Sequence, residues 1–220
     1  MQKFDTATPI TAVLEIPAGR VQLIAADRTD ATVEVRPADP AKGRDVKAAE
    51  QTTVAYRDGV LQVQGPAGRQ LLGPSGSVEV TVQLPAGSRV EAKTAAVEFR
   101  GVGRLGDISY ESSYGPVKVD EAASVRLTTA AGDVQVGRLN GSAEIDVQKG
   151  DIDIAEAAAG TVVLRTRAGD VRVGAARGVS ASLDAGTSHG RVSNSLKNGG
   201  TADLEIRATT SSGDITARSL

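Results

Sequence analysis

A chain of 220 residues with 25 basic and 27 acidic side chains carries a formal charge of −2 and is long enough for one large domain or two small ones. The absence of cysteine excludes disulfides, thiol nucleophiles and Cys-ligated metals, and the balanced charge with only two Phe and three Tyr argues against a nucleic-acid partner. Hydrophobic residues make up 40% of the chain but aromatics only 2%, so its core is built from Val, Ile, Leu and Ala, and 25 glycines predict frequent turns.

The N-terminal stretch is interrupted by Asp5, Glu15 and Pro17, and no segment reaches the roughly 18 apolar residues of a membrane span. A native start at Met1 predicts a cytoplasmic protein; a removed leader would predict the cell surface or secretion. Period-2 alternation at 13–16, 21–24 and 32–36 reads as short antiparallel strands with one wet face. The segment 39–51 is the one helical candidate, a turn or two long. Strand character resumes at 54–56, crosses Arg57-Asp58-Gly59 as a hairpin turn, and continues through 60–63. A Gly- and Pro-dense loop follows at 65–77, then a strand at 78–84 that ends in a second Pro-Ala-Gly.

From about residue 90 the text becomes periodic. Gly115, Gly132, Gly150, Gly169, Gly190 and Gly213 are spaced by 17, 18, 19, 21 and 23 residues. Each is followed by aliphatic positions two apart, from Val117 and Val119 through Val134 and Val136, Ile152 and Ile154, and Val171 and Val173, to Ile215. A second alternating strand lies between successive glycines. Two short strands in a period near 20 residues predict a parallel β-solenoid, one coil per repeat, because a single coil cannot bury its one apolar face alone. The expected organisation is all-β: an antiparallel cap over 1–90 and about five to six solenoid coils over 91–220. The widening spacing predicts loops at one corner, with 195–203 bulging outward, and the C-terminal strand is expected to be a bare edge available for homo-oligomer formation.

The stretches "LEIPAGRVQL", "ATVEVRPADP" and "LPAGSRVEAK", the run of Gly-Asp-Val-x-Val turns, and the closing "GRVSNSL" and "TSSGDI" together resemble a bacterial family known as putative adhesin, a domain of unknown function with β-strand repeats. The resemblance covers essentially the whole chain. It implies a right-handed β-solenoid without an assigned biochemical activity.

Four features bear on chemistry. The corner carboxylates Asp107, Asp133, Asp151, Asp170 and Asp214 recur at one turn, but one Asp per coil supplies too few oxygens for calcium, and Pro116 and Arg191 break the series. Their expected role is to accept hydrogen bonds from nearby backbone amides. The single His189 lies among serines without a nucleophile elbow and reads as a turn residue. Asp151 and Asp153 share an outward strand face and are either a solvated pair or the best carboxylate pair for glycoside chemistry, while Tyr110 and Tyr114 either form a small ligand platform or fill the junction between cap and solenoid. The reading that follows is a non-enzymatic scaffold without metal or cofactor, whose partner is a protein or a cell-envelope glycan; a carbohydrate-binding or carbohydrate-active protein is the alternative.

Overall fold

A computed structural model describes residues 1–6, 8–66 and 76–220; the middle of the loop expected at 65–77 lies outside the described residues. The described chain is all-β apart from one helix, and it divides into two compact units, Met1–Gly115 and Pro116–Leu220.

The first unit holds β1 (Gln2–Asp5), β2 (Thr11–Ala26), β3 (Asp30–Pro37), α1 (Gly43–Gln51), β4 (Thr53–Arg57), β5 (Val60–Gln64), β6 (Val78–Pro85) and β7 (Arg89–Tyr114). Its central strand is β2, which pairs in parallel with β5 and β6 along one edge and with β7 along the other. Parallel stacking therefore begins at residue 11. The antiparallel region expected over 1–90 is confined to β1 on β3, β3 on β6, and the β4–β5 hairpin. That hairpin turns at Asp58 and Gly59, both at positive φ, as its sequence required. Helix α1 is longer than the expected turn or two, and its buried Asp45 accepts a hydrogen bond from the Ser77 amide at 3.0 Å. Phe4 of β1 meets Tyr56 of β4 with ring centroids 5.4 Å apart, joining the two outer strands of this cap.

The second unit holds β8 (Val117–Ala131), β9 (Val134–Leu139), β10 (Ala143–Lys149), β11 (Ile152–Ala157), β12 (Gly160–Ala168), β13 (Val171–Ala175), β14 (Ala181–His189), β15 (Val192–Ser195), β16 (Leu204–Ser212) and β17 (Ile215–Ser219). They form two columns of parallel strands. One column runs β8, β10, β12, β16, β14, and the other β8, β9, β11, β13, β17, β15. Inward positions stack like on like. Leu127, Ile145, Leu164, Ala208 and Ala185 make one ladder, and Val119, Val136, Ile154, Val173, Ala217 and Asn194 another. Small branched residues suffice because each layer needs only enough volume to bridge the two columns.

The order of these layers departs from the order of the chain. The last coil, β16–β17, lies between the third coil, β12–β13, and the fourth, β14–β15. The C-terminal strand is thus paired along both sides, and the open edge is β14–β15. This corrects the expectation of a bare C-terminal edge and also explains the widening repeat. Connections between layers adjacent in both chain and space need three residues, 140–142, or two, 158–159. The connection that skips a layer takes five, 176–180, and the one that returns takes eight, 196–203.

The corner glycines are fixed by the closeness of this stacking. Gly169 sits at φ +151, and a Cβ there would stand 2.0 Å from the Gly150 carbonyl oxygen of the layer below. A Gly169→Ala variant is expected to lose at least about 2 kcal/mol of unfolding free energy, from positive-φ strain and the backbone clash together. Val136, only 2% exposed and stacked between Val119 and Ile154, gives a second test. Val136→Asp places an unpaired carboxylate in an aliphatic layer and is expected to cost roughly 3 kcal/mol or more in denaturant titration. Near-wild-type midpoints would refute the inward register.

Candidate functional site

The Gly-Asp corners form a continuous ladder of hydrogen bonds from carboxylate to amide. The Asp133 carboxylate accepts the Asp151 amide at 2.9 Å, Asp151 accepts Asp170 at 2.8 Å, Asp170 accepts Asp214 at 2.9 Å, and Asp214 accepts Arg191 at 2.9 Å. Each bond reaches the next layer rather than the residue's own turn. The ladder follows the spatial order of the coils and stops at Arg191, the corner residue of the outermost coil. A carboxylate is needed at every step but the last, because only the last has no amide above it to accept.

A parallel series of threonines completes the corner. Thr166 donates to the Gly150 carbonyl, Thr210 to Gly169 and Thr187 to Gly213, each at 3.0 Å. The corner charges are also paired. Arg172 lies 2.6 Å from Asp170 and 3.4 Å from Asp151, and Arg191 lies 3.4 Å from Asp214. The amide of Arg191 is the main cause that holds the Asp214 carboxyl below its ordinary value, against a smaller opposing effect of burial.

Asp151 and Asp153 are thereby separated in role. Asp151 belongs to the corner ladder. Asp153, half-buried on β11, lines a shallow groove of about 190 Å³ across β11, β13 and β17 with Arg172, Thr216 and Arg218. Arg172, Thr216 and Arg218 were not among the site candidates read from the sequence, although each has the outward parity of its strand. Along the other column, Glu144 lies 3.5 Å from both Arg126 and Arg165 on the neighbouring strands, a charge ladder across three layers.

The two tyrosines also part company. Tyr110 is only 2% exposed, its ring centroid 4.9 Å from that of Phe99, and its hydroxyl shares a 3.0 Å hydrogen bond with Thr94. Burial raises the Tyr110 hydroxyl above its ordinary value, and the Thr94 hydrogen bond offsets part of that rise. Tyr110 is therefore a core residue and no part of a ligand platform. Tyr114, 64% exposed, is the one that reaches solvent. His189 is exposed at the end of β14, where its carbonyl accepts the Gly213 amide. Among the described residues no group of three or more His, Cys, Asp or Glu is placed to hold a metal, and no helix is long and apolar enough to cross a membrane.

The chain belongs to the Toastrack DUF4097 family, whose model matches residues 13–219. The resemblance carried by the repeat turns, to a β-strand-repeat domain of unknown function, is thus upheld. No curated protein matches the chain. Solved structures similar to it include a putative adhesin from Bacteroides fragilis, with 12% identity over 98% of this chain and 95% of that one and a TM-score of 0.47. A putative cell adhesion protein from Clostridium sporogenes shows 11% identity over 100% and 98% of the two chains, with a TM-score of 0.38. A putative lipid binding protein from Parabacteroides distasonis shows 9% identity over 98% and 95%, with a TM-score of 0.42.

The carboxyls of Asp30 and Asp214, both held below their ordinary value, predict a loss of stability in acid. The Asp30 carboxyl, hydrogen-bonded by Arg28 and Lys3, is lowered from 3.8 to about 2. A carboxyl depressed in the folded state contributes stability that is complete above its unfolded value and lost as pH falls through the folded one. For Asp30 that window runs from 3.8 down to about 2, and Asp214 shifts in the same direction. An Asp30→Asn variant should melt below wild type at neutral pH, with the gap closing as the pH approaches 2; a gap that stays constant across that range would refute the assignment. Asp170→Ala, which leaves the Asp214 amide without its acceptor, is expected to cost about 1 to 2 kcal/mol in denaturant titration.

Proposed function

We propose that the protein is a non-enzymatic scaffold, a right-handed parallel β-solenoid of about five to six coils that engages a protein partner through its outer strand faces. The right hand follows from the strong general preference of parallel crossover connections. The observation that carries the functional reading is the employment of the corner carboxylates. Asp133, Asp151, Asp170 and Asp214 each accept a backbone amide of the next layer, so the most regular polar residues of the sequence are committed to the stack. What remains outward is a ribbed surface of paired charges such as Arg126, Glu144 and Arg165. Such pairs contribute little to stability, typically about 0 to 1 kcal/mol, and suit a surface read by complementarity.

The groove beside Asp153 favours a second reading, a carbohydrate-binding protein, because Asp153, Thr216 and Arg218 offer both acceptors and donors to hydroxyl groups. Its volume of about 190 Å³ is below the ~300–1,000 Å³ usual for small-ligand sites. It also has no aromatic wall among its lining residues. It would hold the tip of a chain rather than enclose a ligand. This counts for the scaffold over the pocket.

The two readings separate experimentally. On the scaffold reading a glycan array shows no binding, and chromogenic glycosides are not turned over. Glycan binding that disappears in Arg218→Ala would establish the second reading, and turnover lost in Asp153→Asn would overturn the non-enzymatic assignment.

A further inference from the structure

We infer that the slot between β12–β13 and β14–β15 accepts the C-terminal coil of a second copy of this chain, so that two copies exchange β16–β17 reciprocally. The layer order supplies the first argument. The coil β14–β15 is paired to the rest of its unit through β16–β17: β14 pairs with β16 and β15 with β17. Residues 204–220 are therefore an insert held between two parallel surfaces.

Register supplies the second. Leu204 is the partner of Gly160 on one side and of Ala181 on the other, and Ile215 of Val171 and Val192. The fourth coil thus repeats the register of the third, and the corner of the insert is bonded on both faces by one motif, with Asp170 accepting the Asp214 amide and Asp214 accepting Arg191. Every strand pair, core contact and corner bond of the insert can form with identical geometry when the insert comes from another copy. No disulfide fixes it to its own chain.

The connection 196–203 supplies the third. It is eight residues long, nearly all exposed, and carries Gly199 and Gly200. Its bonds, from the Gly199 amide to Ser180 Oγ, from the Lys197 amide to Ser219 Oγ, from the Ala181 amide to the Lys197 carbonyl and from the Asp203 amide to the Ser180 carbonyl, are among the interactions that exchange has to rearrange. They favour the closed monomer in dilute solution, as does the effective concentration of a short tether, on the order of 1 mM. Exchange then becomes populated only when chains fold at comparable concentration. It is independent of whatever the outer faces bind.

The absence of native cysteine allows a direct test. Ser193 and Thr216 are Cα partners on β15 and β17, and both are polar and outside the core. Purified full-length Ser193→Cys and Thr216→Cys chains, carrying tags of different size, are mixed in denaturant, refolded together at about 1 mM or at roughly a hundredfold lower concentration, and then oxidised. Exchange predicts a heterodisulfide dimer at the high concentration, its ratio to monomer falling about a hundredfold on dilution. Light scattering on the unoxidised wild type refolded the same way should show a dimer. The Ser193→Cys, Thr216→Cys double variant, refolded dilute, should close an internal disulfide and so certify the geometry. With that control in place, a heterodisulfide yield no higher than in samples mixed after folding would overturn the proposal.

Discussion

Every layer of the second unit must satisfy the backbone of the layer below it at a fixed spacing of roughly 4.8 Å. In the straight segments the parallel ladder does this without help from side chains. At the corners the chain turns away and an amide is left pointing at the next layer with no carbonyl in reach. The aspartates supply the missing acceptor, and the glycine before each one lets the corner approach closely enough for the bond to form. The Cβ distances show how tight this is: at Gly169, Gly213 and Gly190 an added carbon would lie 1.9 to 2.0 Å from a carbonyl oxygen. The Gly-Asp repeat is therefore a consequence of stacking, with one oxygen each of Asp133, Asp151, Asp170 and Asp214 engaged by a backbone amide of the next layer.

That constraint was half legible in the sequence. The recurrence of Gly-Asp with aliphatic residues two apart identified corner, strand and inward face, and the turn at Asp58-Gly59 followed from its residue types. Tyr110 was also readable from its place on the strand. It stands two residues after the buried Ile108 on the same strand, so its parity places it inside. Asp151 and Asp153 have the same parity as one another, yet one is bound at a corner and the other faces a groove. Parity gives a face but not the neighbour that occupies it.

Layer order was not legible because all coils share one pattern. Any coil of the form β14–β15 or β16–β17 offers the same alternation, the same Gly at the corner and the same threonine three positions before it, as Thr187, Thr210 and Thr166 show. Pairing preferences between identical patterns carry no information on sequence. One signal was length, and the polar Asn194 in place of an aliphatic residue was another. Connections of five and eight residues exceed what a step to the adjacent layer uses, and that excess records the skipped and the returned layer. The first unit has a comparable inversion, with β2 lying between β5–β6 and β7.

The reason for the inversion lies in which coil can tolerate water. Were the coils stacked in chain order, Leu204, Ile206 and Ile215 would form the open end of the core. Inserted, they are 0 to 1% exposed, and the end is formed by Leu183, Thr187, Val192 and Asn194 instead. Val192 remains 46% exposed in that position, and Asn194 replaces the aliphatic residue found at every lower step of its ladder. Each buried CH2 is worth about 0.8 kcal/mol, so placing Ala181, Leu183, Val192 and Asn194 at the open end, with Leu204, Ile206, Ile215 and Ala217 inside, favours insertion. The opposing cost of a longer connection is small, since doubling a loop costs only about 0.6 kcal/mol. The short, polar β15 edge, with Arg191 at its corner, then closes the stack as terminal repeats do, by presenting residues that lose little in water.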